Sequence, residues 1–266
     1  MLDHLSPQRR RFVAVLAVLV TLAVTAVVVS ALVRRNGGQV VPVSQADPGP
    51  VLLVSGYGGS TAGLDVLAEA VRRSGRTVVV VPPVGGGTGD LRDQAAALDD
   101  AVRTALTDTA ATSVDLVGYS AGGVVVRLWV AAYDGGSLAR RVVTLASPHH
   151  GTDLAALAGD LAPDACPQAC QQLAPDSDLL RGLNADDETP SGPLWAALWT
   201  SDDATVVPAS SGELAGAVSF SVQSVCPDVT VGHADVPRDP TIIAMTLLQL
   251  GLAAPAVPGP EVCARS

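Results

Sequence analysis

Four short runs, apolar and largely β-branched but for Asp115 in the third and a threonine in the second and fourth, stand at 51–54, 77–81, 114–117 and 142–145. They lack the in–out alternation of a sheet with one wet face, so they predict strands buried on both faces. Stretches with helical spacing separate them. Leu64, Leu67, Ala68 and Val71 recur at that spacing until Gly75, and Leu91, Ala95, Leu98, Val102 and Leu106 do so behind Asp90, a suitable N-cap. Residues 121–132 give a third helix. Parallel strands need such crossovers, so the pattern predicts an α/β fold with a doubly wound, mostly parallel sheet. Residues 152–193 break the rhythm with prolines, aspartates and a close cysteine pair, which predicts an insertion after the fourth strand. Strands at 194–200 and 217–222 and a helix at 241–252 then complete one domain over 50–266.

Upstream of this domain, residues 12–33 carry no charge and are long enough to cross a bilayer as a helix. Arg9, Arg10 and Arg11 precede them, and Arg34 and Arg35 follow. The preferred reading is an uncleaved single-pass membrane anchor, with residues 1–11 cytoplasmic and 34–49 a polar Gly/Pro linker. The segment also resembles a twin-arginine export signal, whose cleavage would release a secreted protein. Both readings put the domain outside the cytoplasm. Cys166, Cys170, Cys226 and Cys263 all lie in that part, and an even number there predicts two disulfides. The close pair Cys166 and Cys170 should bridge locally, leaving Cys226 to hold Cys263. Zinc is disfavoured because no Cys-x₂-Cys pair is present. A net charge of −10 and an aromatic content of 3% argue against nucleic acid, since phosphates are repelled and bases find few rings to stack on.

Gly118-Tyr-Ser-Ala-Gly122 joins the third strand to the third helix. Gly-x-Ser-x-Gly recurs by chance in a glycine-rich chain, so its position carries the weight. At a strand's C-terminal end, a serine between two glycines fits the sharp turn that exposes a nucleophile. The Ala121 N–H at the helix N-terminus would face a developing oxyanion, and Tyr57 in the loop Ser55-Gly-Tyr-Gly-Gly-Ser60 is expected to supply a second N–H. A serine also needs a base, and the base needs a carboxylate. His233, between the last strand and last helix, is the expected base. Asp202 and Asp203 both follow the fifth strand, and Asp203 is favoured because its neighbour nearer the strand suits a solvent-facing or turn-capping role. His149 and His150 are read as pocket-wall or supporting residues without a metal, and the glycines at 85–89 as a surface turn.

The stretches SGYGGS at 55–60, GGGTGDL at 85–91, GYSAGG at 118–123, TLASPHHGT at 144–152, ACPQACQQLA at 165–174, DATVVP at 203–208 and GHADVPRD at 232–239 resemble secreted or membrane-anchored actinobacterial α/β-hydrolases of the lipase and esterase type. The resemblance implies Ser120, Asp203 and His233 as a catalytic triad and Tyr57 and Ala121 as the oxyanion hole. It differs at Ser55, where many lipases carry a histidine. A monomeric hydrolase of small-molecule esters or lipids, needing no cofactor, is the expected function. Residues 152–193 would form a lid-like insertion. An acyltransferase or thioesterase acting on envelope lipids would use the same triad, and a non-catalytic envelope binding protein is the remaining alternative.

Overall fold

The computed structural model describes residues 18–22, 24–25 and 40–265. The chain divides into a unit Met1–Val40 and a unit Val41–Ser266. Residues 1–11 and most of the expected anchor lie outside the described residues. Residues 18–22 and 24–25 are helical. No helix among the described residues is long and apolar enough to cross a membrane.

In the second unit, six strands form a single sheet: β1 Val51–Val54, β2 Val78–Val80, β3 Val114–Tyr119, β4 Ala139–Leu145, β5 Leu194–Trp199 and β6 Val218–Ser221. Their order is β2-β1-β3-β4-β5-β6, and every pairing is parallel. Helices α1 Asp65–Arg73, α2 Leu91–Thr109 and α3 Ala121–Ala132 connect the first four strands. Helices α4 Asp153–Leu161, α5 Gln168–Gln172 and α6 Asp178–Leu183 fill the insertion between β4 and β5. Helix α7 Val222–Val225 follows β6, and α8 Pro240–Gln249 comes last. Disulfides join Cys166 to Cys170 and Cys226 to Cys263.

Two cores sandwich the sheet, as a parallel sheet requires. Leu52, Leu116 and Val142 face α2 and α3, where Leu98, Val124 and Trp129 meet them. Leu53, Val117 and Val143 face the other way, toward Leu67 of α1 and Ile242 of α8. The chain runs from β1 outward to β2, then returns to β3 and proceeds the other way. A crevice therefore opens at the carboxyl ends of β1 and β3, where open α/β sheets bind ligands.

The opposite end of the sheet is held by charge. Asp115 and Arg140, on neighbouring strands, are both fully buried. Arg140 Nε donates to Asp115 Oδ1 at 2.9 Å and its Nη2 donates to Oδ2, which Arg76 also reaches at 2.7 Å. Arg140 further donates to the carbonyls of Gln45, Leu250 and Gly251, and Arg141 reaches that of Ala253. Three differences from the sequence reading follow. The fourth strand begins at Ala139 rather than 142, because arginines with internal acceptors can occupy a buried strand. The last helix stops at Gln249 rather than 252, where the carbonyls that follow turn to the arginines. Residues 45–49 of the expected linker are docked: Arg76 binds the Gly49 carbonyl and Ser113 binds that of Asp47 at 3.1 Å.

Asp115→Asn would leave Arg140 buried without its countercharge. We expect it to lower the unfolding free energy by about 3 kcal/mol or more in urea titrations. A change below about 0.5 kcal/mol would remove this network from the account of stability.

Candidate active site

Ser120 links β3 to α3 with φ 54° and ψ −128°, a region that L residues rarely occupy. Its neighbours explain how the turn is accommodated. A Cβ at Gly118 would stand 2.6 Å from the Gly123 Cα, and one at Gly122 would collide with the Val54 carbonyl oxygen at the end of β1. Strand, helix and adjacent strand therefore converge only because both positions lack side chains. The strained turn projects the serine into the crevice at the end of β3.

His233 arrives from the loop between α7 and α8. Its Nε2 lies 2.9 Å from Ser120 Oγ and its Nδ1 lies 2.7 Å from Asp203 Oδ2. Asp203 follows β5, and its Oδ1 accepts the N–H groups of Thr205 and Val206, each at 2.8 Å. The carboxylate fixes the tautomer: Nδ1–H donates to Asp203, which leaves Nε2 to accept from the Ser120 hydroxyl. The side chains of His233 and Asp203 are 11% and 2% exposed, so this chain of hydrogen bonds is largely shielded from water.

The adjacent acid has a different place. Asp202 Oδ2 accepts Val231 N–H at 3.1 Å and Gln223 Nε2 at 3.0 Å, while Thr200 donates to the Val231 carbonyl at 2.8 Å. Asp202, Thr200 and Gln223 thus hold the strand-end turn to the segment that leads into His233. Tyr119, just before the serine, donates its hydroxyl to the His233 carbonyl at 2.9 Å. Burial pushes that phenol up to about 12, and the Asp203 charge adds to the shift. Sequence reasoning missed Tyr119 and Gln223. Only the second carries a sequence hint, as a polar residue directly after the last strand.

The loop at 55–60 lies against the serine, since a Cβ on Gly56 would sit 2.9 Å from Ser120 Cβ. Ala121, the first residue of α3, is buried, and Tyr57 is 44% exposed. Residues 85–89, expected as a plain surface turn, brace this loop: the Gly87 carbonyl accepts Gly58 N–H at 3.3 Å. Beside Ser120 opens a cavity of about 280 Å³ lined by Tyr57, Pro148, Leu154, Ala158, Cys170 and Leu173, among others.

His149 and His150 do not line it. His149 is fully buried with Nε2 3.0 Å from Thr144 Oγ1, and His150 pairs with Glu188 at 2.8 Å. Burial and the nearby Arg127 charge hold the His149 imidazole well below its ordinary value. Arg127, itself wholly buried on α3, binds the carbonyls of Leu183 and Glu188 and the Asn184 side chain. Burial lowers its guanidinium to about 10, although the Glu188 and Asp187 charges oppose this. No cluster able to hold a metal ion occurs among the described residues.

Solved structures of other proteins share this fold. Aspergillus fumigatus lipase B superposes with a TM-score of 0.68 at 16% identity, over 84% of this chain and 58% of that one. The mature Bacillus licheniformis lipase BlEst2 gives 0.61 at 19% identity, over 80% of this chain and 96% of that one. The product of lin2722 from Listeria innocua gives 0.54 at 18% identity, over 75% and 92%. The fold is the α/β-hydrolase fold of lipases and esterases. The family model for palmitoyl protein thioesterase matches residues 50–183, half of the chain, and the chain belongs to that family. No curated protein matches. The family match includes Ser120 and ends before Asp203 and His233, whose places come from the fold.

The His149 shift has a consequence for stability. Its folded pKa lies below the unfolded one, so the unfolded chain takes up the proton first as pH falls. The associated stability is complete above the ordinary histidine range of about 6.5 and is lost as pH falls through the lowered value. His149→Gln should therefore flatten the stability–pH curve below about pH 6.5, by up to about 1.4 kcal/mol per pH unit. Denaturant unfolding at a series of pH values measures this, and an unchanged slope would contradict it.

Proposed function

We propose that the protein is a serine hydrolase that cleaves carboxylic esters through an acyl-enzyme, with Ser120 as nucleophile, His233 as base and Asp203 as its orienting carboxylate. The observation that carries this reading is the continuous hydrogen-bonded chain from Ser120 Oγ through His233 to Asp203. His233 Nε2 takes the hydroxyl proton as Oγ attacks the acyl carbonyl, then returns it to the departing alcohol. The imidazolium that exists between these two transfers rests on Asp203. The N–H groups of Tyr57 and Ala121 are assigned to the tetrahedral oxyanion, at the end of β1 and the start of α3. Water, activated by the same imidazole, then releases the acid.

Thioester cleavage is the second reading, and the match to the palmitoyl protein thioesterase family favours it. A thiolate leaves more readily than an alkoxide, so the same residues serve both substrates. Acyl transfer to an alcohol differs only in the second acceptor. We place the domain outside the cytoplasm, tethered through residues 12–33 or released. The two disulfides support this, because such bonds persist in oxidising compartments.

Ser120→Ala should lower kcat on p-nitrophenyl butyrate by about 10⁵-fold or more, and Asp203→Asn by about 10⁴-fold. Near-normal turnover by the serine variant would defeat the proposal. Parallel assays with butyryl thioester, with and without added alcohol, separate the ester, thioester and transfer readings. A fluorophosphonate that leaves Ser120 unlabelled in folded protein would favour a binding role.

A further inference from the structure

Resting on the hydrolase reading, we infer that Tyr119 is a positioning residue for the base and acts on His233 twice. Its hydroxyl fixes the main chain of that residue, and its ring steadies the imidazole and favours the positive charge held between the two proton transfers. The contacts are separate. The hydroxyl donates to the His233 carbonyl at 2.9 Å. The two ring centroids lie 5.2 Å apart with their planes inclined at 35°. Aromatic pairs favour separations of about 4.5–7 Å, and this inclination is nearer to stacking than to an edge-to-face contact.

The loop needs such a support, because packing around His233 is thin. Gly232, Ala234 and Asp235 are exposed, and buried residues resume only at Val231 and Val236. Tyr119 is held far more firmly. It ends β3, in register with Leu145 of β4, and packs against the core that contains Val117 and Phe220. It also directly precedes Ser120, so one rigid strand end carries the nucleophile and the support of its base. Motion of His233 Nε2 relative to Ser120 Oγ is thereby limited by a short piece of backbone. Such alignment is valuable, since a displacement of about 1 Å can cost about 100-fold in rate.

The ring adds an electrostatic effect. The imidazole carries a full positive charge only after taking the Ser120 proton. The face of a phenol ring attracts a cation within about 6 Å of its centroid, more strongly where water is excluded. The His233 side chain is 11% exposed, and Asp203 occupies its Nδ1 side. Asp235 and Arg238, the other charged groups acting at this place, pair with each other at 3.3 Å. Because the imidazole is neutral before the transfer, attraction to the cation lowers the barrier without tightening substrate binding. Acylation and deacylation both pass through the imidazolium, so both gain. Burial pushes the Tyr119 phenol up to about 12, and the hydroxyl stays a donor at any lower pH.

The test compares full-length wild type with Tyr119→Phe and Tyr119→Leu on p-nitrophenyl butyrate and on butyryl thioester. Tyr119→Phe removes the hydroxyl and keeps the ring. The His233 carbonyl still accepts Val236 N–H at 3.3 Å, so kcat should fall only about two- to tenfold. Tyr119→Leu keeps an apolar side chain without a π face, and its kcat should lie at least about tenfold below that of Tyr119→Phe. KM should stay within about twofold of wild type in both, because only the transition state loses support. A side chain that merely filled space would instead disturb substrate binding and raise KM. Equal kcat for Tyr119→Leu and Tyr119→Phe, or a loss carried by KM alone, overturns the inference. Should Tyr119→Leu not fold, Tyr119→Phe decides: an unchanged kcat overturns it. An inactive wild type removes the hydrolase reading and this inference together, whereas an active wild type with equal variants removes this inference alone.

Discussion

Behind Ser120 the backbones of β1, β3 and α3 approach one another so closely that a single Cβ at Gly118 or Gly122 would collide with main-chain atoms. This convergence is the constraint on which the site depends. It forces the positive φ at Ser120, lifts the hydroxyl above the sheet edge and sets the α3 N-terminus beside the end of β1. The loop at 55–60 is thereby delivered to Ser120, and the glycines at 85–89 support it. The strain of the turn is sustained by the parallel sheet, whose strands are packed on both faces.

The two ends of the sheet divide the work. At the amino ends, Asp115, Arg140 and Arg76 bind β3, β4 and the start of the domain into one charged knot that also collects the carbonyls after α8. That knot fixes where α8 ends. At the carboxyl ends, polar groups hold the loops that carry Asp203 and His233 in place. Asp202, Thr200 and Gln223 hold the approach to His233, Tyr119 holds its carbonyl, and the Cys226–Cys263 disulfide closes the length of chain that contains it.

Much of this was legible in the sequence, for physical reasons. The apolar run at 51–54 and the apolar residues flanking Asp115 at 114–117 mark strands buried on both faces, and glycines around Ser120 mark crowding that no other residue tolerates. The order of Ser120, Asp203 and His233 then follows from strand ends in a doubly wound sheet. Other features depend on partners distant in the chain. The buried charge of Arg140 in β4 makes sense only with Asp115 beside it. The roles of Asp202 and Asp203 diverge according to which receives Val231 N–H and which receives His233, a distinction of ångströms within one turn. His149 and His150 adjoin the site in sequence, yet one is buried against Thr144 and the other pairs with Glu188 on the insertion side. The docking of 45–49 likewise required Arg76 and Ser113 to be in place.

The central claim is that Ser120 carries the acyl group during turnover. Acid quenching within the first turnovers of p-nitrophenyl octanoate, followed by mass spectrometry of the peptide containing Ser120, tests it most directly. The account predicts an octanoyl mass on Ser120 that disappears on longer incubation as free acid is released. Rapid hydrolysis with an unmodified Ser120, or an acyl group on any other residue, would contradict it.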